Sequence, residues 1–297
     1  MPCYHPVTVY RTSDGISFSP KNKNILGDIQ IPCGNCIGCR LRRASDWALR
    51  CTHEASQWEE NCFITLTYKR DALPPNGSLD YKDFQDFMKR LRKQTTNKIR
   101  FFMCGEYGPQ TLRPHYHACL FNLDFPDKLI GGKSESGETY YTSATLDKIW
   151  THGRTTVQPF TKQTAAYTAR YIMTKINGDL QKAHYETIDK TTGELINRQP
   201  EFSHASLKPG IGATWFAKYN KDVFPHDHII QDGKKHQVPK YYDKLRKDMP
   251  IGKQYDDRIE YTRYQDALKT RSDQTPERLR VREQVKTAQI SQQKRTN

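Results

Sequence analysis

The feature that most constrains this chain is a short apolar segment with two histidines, Pro-His-Tyr-His-Ala-Cys-Leu-Phe, at residues 114–121. Its pattern predicts a β-strand, in which successive side chains point to opposite faces. His115 and His117 must therefore share one face, while Tyr116 packs into the other. Because two imidazoles on one face of a rigid strand can hold a divalent cation, the segment predicts a metal site as well as a sheet.

A tight turn joins this strand to the one before it. Residues 99–104 predict a strand, and Gly-Glu-Tyr-Gly-Pro at 105–109 predicts a turn. Such a short connection fits antiparallel strands and not a parallel βαβ unit. Glu106 is the best-placed carboxylate to complete the site, and a mixed histidine and carboxylate set suits Mg²⁺ or Mn²⁺ acting on phosphate oxygens. On the motif alone, two ordinary strand histidines remain an alternative.

A second histidine pair, His226 and His228, has the same spacing. It has a charged middle residue, Asp227, and turn-like flanks. A buried strand cannot easily hide that aspartate, so we interpret the second pair as an incidental surface feature.

Other patterns predict an α+β fold, with a central antiparallel sheet of about five strands flanked by helices. Further strands are expected at 62–68 and 155–160, and helices after Ser45 and Asp80 and at 146–150 and 164–176. Residues 1–44 are rich in turn formers, 181–245 indicate turns and short strands, and 257–297 favour polar helix. We predict an N-terminal cysteine-rich segment and helix (1–60), a core (61–180) and a C-terminal extension with a basic helical tail (181–297).

The helix at 164–176 has two distinct faces. With 3.6 residues per turn, Tyr167, Tyr171 and Lys175 form one row, away from the helix's apolar packing stripe. A phenol, with a pKa near ~10, needs a nearby cation or a metal-polarised phosphate to act as a nucleophile at neutral pH. Alone, the row could instead pack against the sheet. Beside a metal strand, it favours tyrosine-mediated phosphodiester exchange.

The chain is strongly basic. Lys and Arg number 47 against 33 Asp and Glu, which gives a formal net charge of +14 and favours a polyanionic partner. Its tyrosines and phenylalanines also offer faces on which unpaired bases could stack. We expect contacts to a DNA backbone from six basic residues: Lys89, Arg90, Arg92, Lys93, Arg113 and Arg170.

No apolar stretch approaches the ~20 residues needed to span a bilayer, and the N-terminus lacks the apolar run of a signal peptide, so we expect a cytosolic protein. There, cysteines are better read as metal ligands or core thiols than as disulfides. Cys33, Cys36 and Cys39 predict a structural Zn²⁺ site, with Cys3 as the best fourth ligand. His5 and Cys51 are weaker fourth candidates. Free or redox-active thiols and an iron-sulfur cluster are the alternatives to zinc.

In combination, these motifs resemble the replication initiation proteins of gokushoviruses (Microviridae), which are HUH endonucleases of small single-stranded-DNA phages. The segments that carry the resemblance are Met1-Pro2-Cys3-Tyr4, Cys33-Gly34-Asn35-Cys36-Ile37-Gly38-Cys39-Arg40, Phe63-Ile64-Thr65-Leu66-Thr67-Tyr68, Cys104-Gly105-Glu106-Tyr107-Gly108, Arg113-Pro114-His115-Tyr116-His117 and the tyrosine helix. The resemblance implies a metal pair in the middle of an antiparallel sheet, with the tyrosines on a helix beside it. Lys175 looks like the lysine that accompanies that motif.

The resemblance also implies a rolling-circle activity. One tyrosine would attack single-stranded DNA at the viral origin, become linked to the 5′ phosphate and leave a 3′ hydroxyl for the host polymerase. The second tyrosine would then take over. No P-loop is present in the sequence, so a host replication helicase is the expected second partner, in the bacterial cytoplasm.

Two other functions remain alternatives. The first is a non-catalytic, zinc-stabilised nucleic-acid-binding protein, which would bind DNA without becoming linked to it. The second is an HUH transposase or relaxase, against which the phage-like N-terminus and the tyrosine pair argue.

Overall fold

The computed structural model describes residues 3–21, 24–108, 110–134, 137–174, 185–188, 192–224, 226–249 and 255–293, and the side chains of 171–174 and 293 lie outside this description. The chain divides into two compact units, Met1–Arg43 with Asp256–Asn297, and Ala44–Tyr255. Among the described helices, none combines the length and the apolar character that a membrane span requires.

The strands, in chain order, are β1 (Val7–Thr12), β2 (Gly15–Ser17), β3 (Ile25–Ile31), β4 (Asn61–Tyr68), β5 (Arg100–Tyr107), β6 (Pro114–Phe121), β7 (Leu129–Lys133), β8 (Thr139–Thr142), β9 (Gly153–Pro159), β10 (Glu186–Ile188), β11 (Leu195–Asn197), β12 (Phe202–Ala205), β13 (His228–Gln231) and β14 (Lys234–Gln237). The helices are α1 (Ile37–Ala55), α2 (Tyr81–Lys93), α3 (Ala144–Trp150), α4 (Lys162–Thr174), α5 (Ala213–Val223), α6 (Lys240–Lys247), α7 (Asp256–Lys269) and α8 (Pro276–Gln293).

The first unit contains a small antiparallel sheet in the order β2-β1-β3, the start of α1, and helices α7 and α8. Helices α7 and α8 lie almost entirely in the range 257–297 that the sequence predicted to favour polar helix. The prediction that Ser45 caps a helix is wrong, because α1 begins at Ile37 and Ser45 lies in its interior. The run Arg40 to Arg43 consists of arginine and leucine, which favour helix and extend α1 toward its N-terminus.

The second unit is built on a seven-stranded sheet in the order β12-β5-β6-β4-β9-β8-β7. Every described pairing in it is antiparallel. The predicted α+β class with a central antiparallel sheet is therefore confirmed, with more strands than expected. The additional strands are β12, which pairs with β5, and the β7–β8 hairpin, which joins β9. Helices α5 and α6 also lie in a region predicted to hold turns and short strands.

One face of this sheet packs against α1 and α4. Phe63, Phe102, Cys119 and Phe121 alternate along neighbouring strands and are buried against small side chains of the two helices. These helix residues are Ala44, Ala48, Cys51, Ala55, Ala165 and Ala169. Small residues let the helices approach the sheet closely. We call this the histidine face, because strand alternation puts His115 and His117 on it.

The opposite face packs against α2 and α3. Asp80 caps α2 by accepting a hydrogen bond from the backbone nitrogen of Lys82, as the sequence predicted. Four apolar residues of α2 are buried in one apolar cluster, namely Phe84, Phe87, Met88 and Leu91. Tyr116 joins this cluster, and its hydroxyl donates to the backbone oxygen of Asp80 at 2.6 Å. The middle residue of His-Tyr-His thus anchors its strand on this side of the sheet.

Candidate functional site

The pairing of β5 with β6 assembles a group of three side chains. Glu106 lies directly opposite His115, and Cys104 lies opposite His117. Directly opposed residues share a face, so all of them lie on the histidine face. Oε1 of Glu106 is 2.6 Å from Nε2 of His115 and 2.8 Å from Nε2 of His117. The structure thus brings together the three residues predicted to hold a metal, in an arrangement that could bind one ion.

Each histidine is oriented through its other ring nitrogen. Nδ1 of His115 lies 3.1 Å from the backbone oxygen of Arg113, which can only accept, so this nitrogen carries the proton. Nδ1 of His117 lies 2.9 Å from Oγ1 of Thr65, and donation to this hydroxyl gives the same tautomer. In that state both Nε2 lone pairs point toward the Glu106 carboxylate. Three electron-rich atoms so close together repel one another, and a shared cation would remove that repulsion.

Burial and charge favour the protonation states that metal binding requires. Burial raises the pKa of Glu106, but the hydrogen bonds and positive charge that His115 and His117 supply when their Nε2 atoms are protonated outweigh it, so this pKa lies below its usual value. Burial lowers the pKa of His117, and Glu106 opposes that shift only in part. Oε2 of Glu106 is buried and has no hydrogen-bond partner among the described residues. An ionised carboxylate with a buried, unsatisfied oxygen fits a bound cation.

Helix α4 brings Tyr167 to this group. Its half-buried ring meets the ring of His117 edge-on, with centroids 5.0 Å apart, and also contacts the ring of Phe63 at 6.2 Å. Tyr171 lies one helical turn further along α4, and its side chain is outside the described residues. Lys175 also lies outside them. Within the described residues, one of the two predicted nucleophiles, Tyr167, therefore contacts the group formed by Glu106, His115 and His117.

The predicted DNA-binding residues divide between the two faces. Arg113 supplies the carbonyl that orients His115, and the guanidinium carbon of the exposed Arg170 lies 5.9 Å from the centroid of the Tyr167 ring. The other four residues are on α2, on the opposite side of the sheet from the Glu106 group: Lys89, Arg90, Arg92 and Lys93. Among these, Arg90 is half-buried and its Nε donates to the backbone oxygen of Ile149 at 2.8 Å. Whether these residues contact DNA remains a prediction.

Sequence reasoning missed several residues around the site. Thr65, which contacts His117, could have been found by alternation along the predicted strand at 62–68. Lys69, Arg70 and Arg154 line a cleft with Arg113. Lys69 and Arg70 follow the end of β4, whereas Arg154 lies at the start of β9, so no local pattern identified them.

The predicted cysteine group also assembles. Cys3, Cys33, Cys36 and Cys39 lie close enough to bind one ion. Backbone nitrogens point at the sulfurs, including that of Tyr4 at 3.3 Å from Sγ of Cys36 and that of Cys33 at 3.2 Å from Sγ of Cys3. Burial raises the pKa of Cys36, but hydrogen bonds from the backbone nitrogen of Tyr4 and from Cys39 and Cys33 outweigh it and bring that pKa to about 7.

The weaker fourth candidates have other contacts. Nε2 of His5 lies 2.7 Å from Oε2 of Glu283. Cys51 is fully buried in α1, within the apolar cluster on the histidine face. Within the described part of the chain, the groups able to bind a metal are the Cys3 group and the Glu106 group, so His226 and His228 belong to neither.

The Glu106 group predicts a divalent cation site that can be tested with Mn²⁺. We expect Glu106→Gln and His115→Ala each to weaken Mn²⁺ binding at least about 10-fold, because each removes one ligand. Calorimetric titration measures the affinity. The matched control is His226→Ala, which removes a histidine of the same spacing and should leave the affinity unchanged. Equal losses in the two sets, or no loss in either, would contradict the assignment.

The comparisons with known proteins all give replication-associated proteins. Residues 61–177 match the family model for replication-associated protein ORF2/G2P. The chain is 32% identical over 254 residues to replication-associated protein VP4 of Bdellovibrio phage phiMH2K, covering 82% of this chain and 76% of that protein. It is 29% identical over 269 residues to replication-associated protein ORF2 of Spiroplasma virus 4, covering 82% and 80%.

A third relative, replication-associated protein ORF4 of Chlamydia phage 1, is 29% identical over 251 residues, which is 81% of this chain and 58% of that protein. No solved structure matches. The coverage of the phiMH2K protein, together with the family match over the strands and helix that build the site, assigns the family. The chain belongs to the replication-associated proteins of gokushoviruses, phages of the Microviridae.

Proposed function

We propose that this protein initiates rolling-circle replication by nicking and rejoining single-stranded DNA at the viral origin, as an HUH endonuclease. The observation that carries the proposal is the contact between the Tyr167 ring and the ring of His117, a member of the metal-capable group. Membership in a family of phage replication-associated proteins supports the role in replication.

Glu106, His115 and His117 are the residues that would hold Mg²⁺ or Mn²⁺. When bound, such a cation would polarise a phosphate and offset the negative charge that develops during its transfer. Around it, the chain supplies rigidity. His115 and His117 lie on a strand paired on both sides, and contacts with Arg113 and Thr65 fix their ring orientations.

In the proposed reaction, the phenol oxygen of Tyr167 or Tyr171 forms a bond to phosphorus. The bond between phosphorus and the 3′ oxygen breaks, the phenol gives up its proton, and the leaving 3′ oxygen takes one up. The products are a 5′-phosphotyrosine and a 3′ hydroxyl. One phosphodiester replaces another, so the reverse reaction can join ends without external energy. Lys175 is proposed as an electrostatic helper.

The proposal includes partners and organisation. The released 3′ hydroxyl would prime the host polymerase, and a host helicase would open the duplex, in the cytoplasm of the bacterial host. The core at 61–180 would carry the chemistry, with 1–60 as a zinc-stabilised segment and 181–297 as an extension. Two alternatives predict other outcomes: a non-catalytic DNA-binding protein would form no covalent adduct, and an HUH transposase or relaxase would act on other DNA ends.

A covalent adduct is the direct test of this chemistry. Incubation with Mn²⁺ and an end-labelled single-stranded origin oligonucleotide should give a protein–DNA adduct that survives denaturation, visible on a denaturing gel. The double variant Tyr167→Phe with Tyr171→Phe should give none, because both candidate nucleophiles are lost.

The matched control is Tyr264→Phe, which removes the hydroxyl of an exposed tyrosine on α7 and should leave adduct formation unchanged. An adduct that persists in the double variant would refute the assignment of the nucleophiles. If no plausible origin sequence gives an adduct while DNA binding is retained, the non-catalytic alternative is favoured.

We also propose that Cys3, Cys33, Cys36 and Cys39 bind a structural Zn²⁺. Four sulfur ligands match the ligand number of tetrahedral zinc, and backbone nitrogens that point at sulfur stabilise thiolates. The group links the N-terminal residues to the first turn of α1 within one compact unit. Its role is therefore structural, and we assign it no part in the reaction.

We expect about one zinc ion per purified chain, measured by elemental mass spectrometry. Cys33→Ala and Cys36→Ala should each lose most of that zinc. Cys62→Ala is the control, because Cys62 is buried in β4 among apolar side chains and should not affect the zinc content. Wild-type protein without zinc, or with the visible absorbance of an iron-sulfur cluster, would refute the proposal.

A further inference from the structure

We infer that a basic cleft beside the Glu106 group binds backbone phosphates of the DNA strand that is cut. These phosphates neighbour the one at which cleavage occurs. This inference rests on the proposed function, because it extends the DNA path of that site. The cleft has a volume of about 350 Å³ and is lined by Thr67, Tyr68, Lys69, Arg70, Arg113 and Arg154. Four of these six residues are cationic, and only Arg113 was expected to contact DNA.

The sheet connects the cleft to the metal group. Glu106 pairs with His115, His115 with Thr67, and Thr67 with Arg154, so the four residues form one row across four strands. Directly opposed residues share a face, and Arg154 is therefore on the histidine face. Neighbouring strands lie about 4.8 Å apart, so the backbone of Arg154 lies roughly 10 Å from that of His115. A DNA strand at the metal group would reach Arg154 with a neighbouring phosphate.

A close backbone contact holds the cleft together. The backbone nitrogen of Lys69 donates to the backbone oxygen of His152 at 2.8 Å. Gly153 follows, and a Cβ atom there would lie 2.3 Å from the backbone oxygen of Thr67 and 2.4 Å from the backbone nitrogen of Lys69. Only glycine fits at such distances. This contact brings Arg154 beside Lys69 and Arg70, although they are far apart in sequence.

The charges of the cleft are largely uncompensated. Lys69 lies 3.3 Å from Asp71, but both side chains are exposed, and such surface pairs contribute little. Arg70, Arg113 and Arg154 have no ion pair within 4.0 Å among the described residues. Arg70 and Arg154 are also exposed to solvent. The cleft therefore offers a concentrated positive charge to an anion.

The lining favours the sugar-phosphate backbone over the bases. The aromatic residue of the cleft, Tyr68, is 1% exposed, and its hydroxyl bonds to Asp83 and Tyr116. Its ring packs edge-on against Trp150 at 5.2 Å. The backbone oxygen of Thr67 accepts a hydrogen bond from Nε1 of Trp150. Without an exposed ring for stacking, arginine and lysine would bind phosphates regardless of base sequence.

The test measures binding of single-stranded oligonucleotides by fluorescence anisotropy over a range of salt concentrations, without added divalent metal. Two probes of equal length are used, oligo(dT) and a mixed sequence. Each lost phosphate contact should reduce the slope of log affinity against log salt by about 0.7, which is about a 5-fold loss at 0.1 M salt. We expect this reduction in slope for Arg154→Ala. The double variant Arg70→Ala with Arg154→Ala should show twice that reduction. Each variant should lose the same affinity on both probes.

The charge-matched control is Lys221→Ala, which removes an exposed lysine on α5 and should leave the slope unchanged. Arg154→Lys keeps the charge and should keep most of the slope. Equal effects of Arg154→Ala and Lys221→Ala, or losses that depend on base sequence, would overturn the inference. Since no cleavage occurs in this assay, failure of the adduct test would leave its result unaffected.

Discussion

The pairing of β5 with β6 is the constraint on which the site depends. It sets Glu106 opposite His115, and a slip of one residue would turn the histidines to the other face. Tyr116 opposes such a slip, because it is fully buried on the far side and its hydroxyl bonds to the backbone of Asp80. Glu106, His115 and His117 are therefore held in place by packing on the opposite face of the sheet.

The proposed site also requires a helix that packs close enough to the sheet to place a tyrosine beside His117. Ala165 and Ala169 of α4 are fully buried, so α4 packs directly on the sheet beside His117. Toward Phe121 the histidine face is covered by α1 and α4, whereas His115, at the start of β6, is partly exposed. The functional groups thus lie where the helix layer ends. In the proposed function substrate would approach there, while contacts with Arg113 and Thr65 hold the two histidine rings in place.

The parts of the site that depend on local periodicity could be predicted from sequence. Alternation put His115 and His117 on one face. The predicted turn at 105–109 began too early, because β5 continues to Tyr107 and places Glu106 within the strand, opposite His115. The rest depends on contacts between distant segments. Strand β12 becomes part of the sheet only through its pairing with β5, and Arg154 reaches the cleft only through the close contact at Gly153. The start of α1 was misplaced because Ser45 looked like a cap, although the preceding residues continue the helix.

We propose that Glu106 of β5 and His115 and His117 of β6 hold one metal ion beside Tyr167 of α4. Cleavage of the backbone by hydroxyl radicals, generated by Fe²⁺ bound in place of the native cation, tests it most directly. We expect cuts near Glu106, near His115 to His117 and near Tyr167, all lost in His117→Ala. Cuts that spare α4, or that occur only around Cys33 and Cys36, would contradict it.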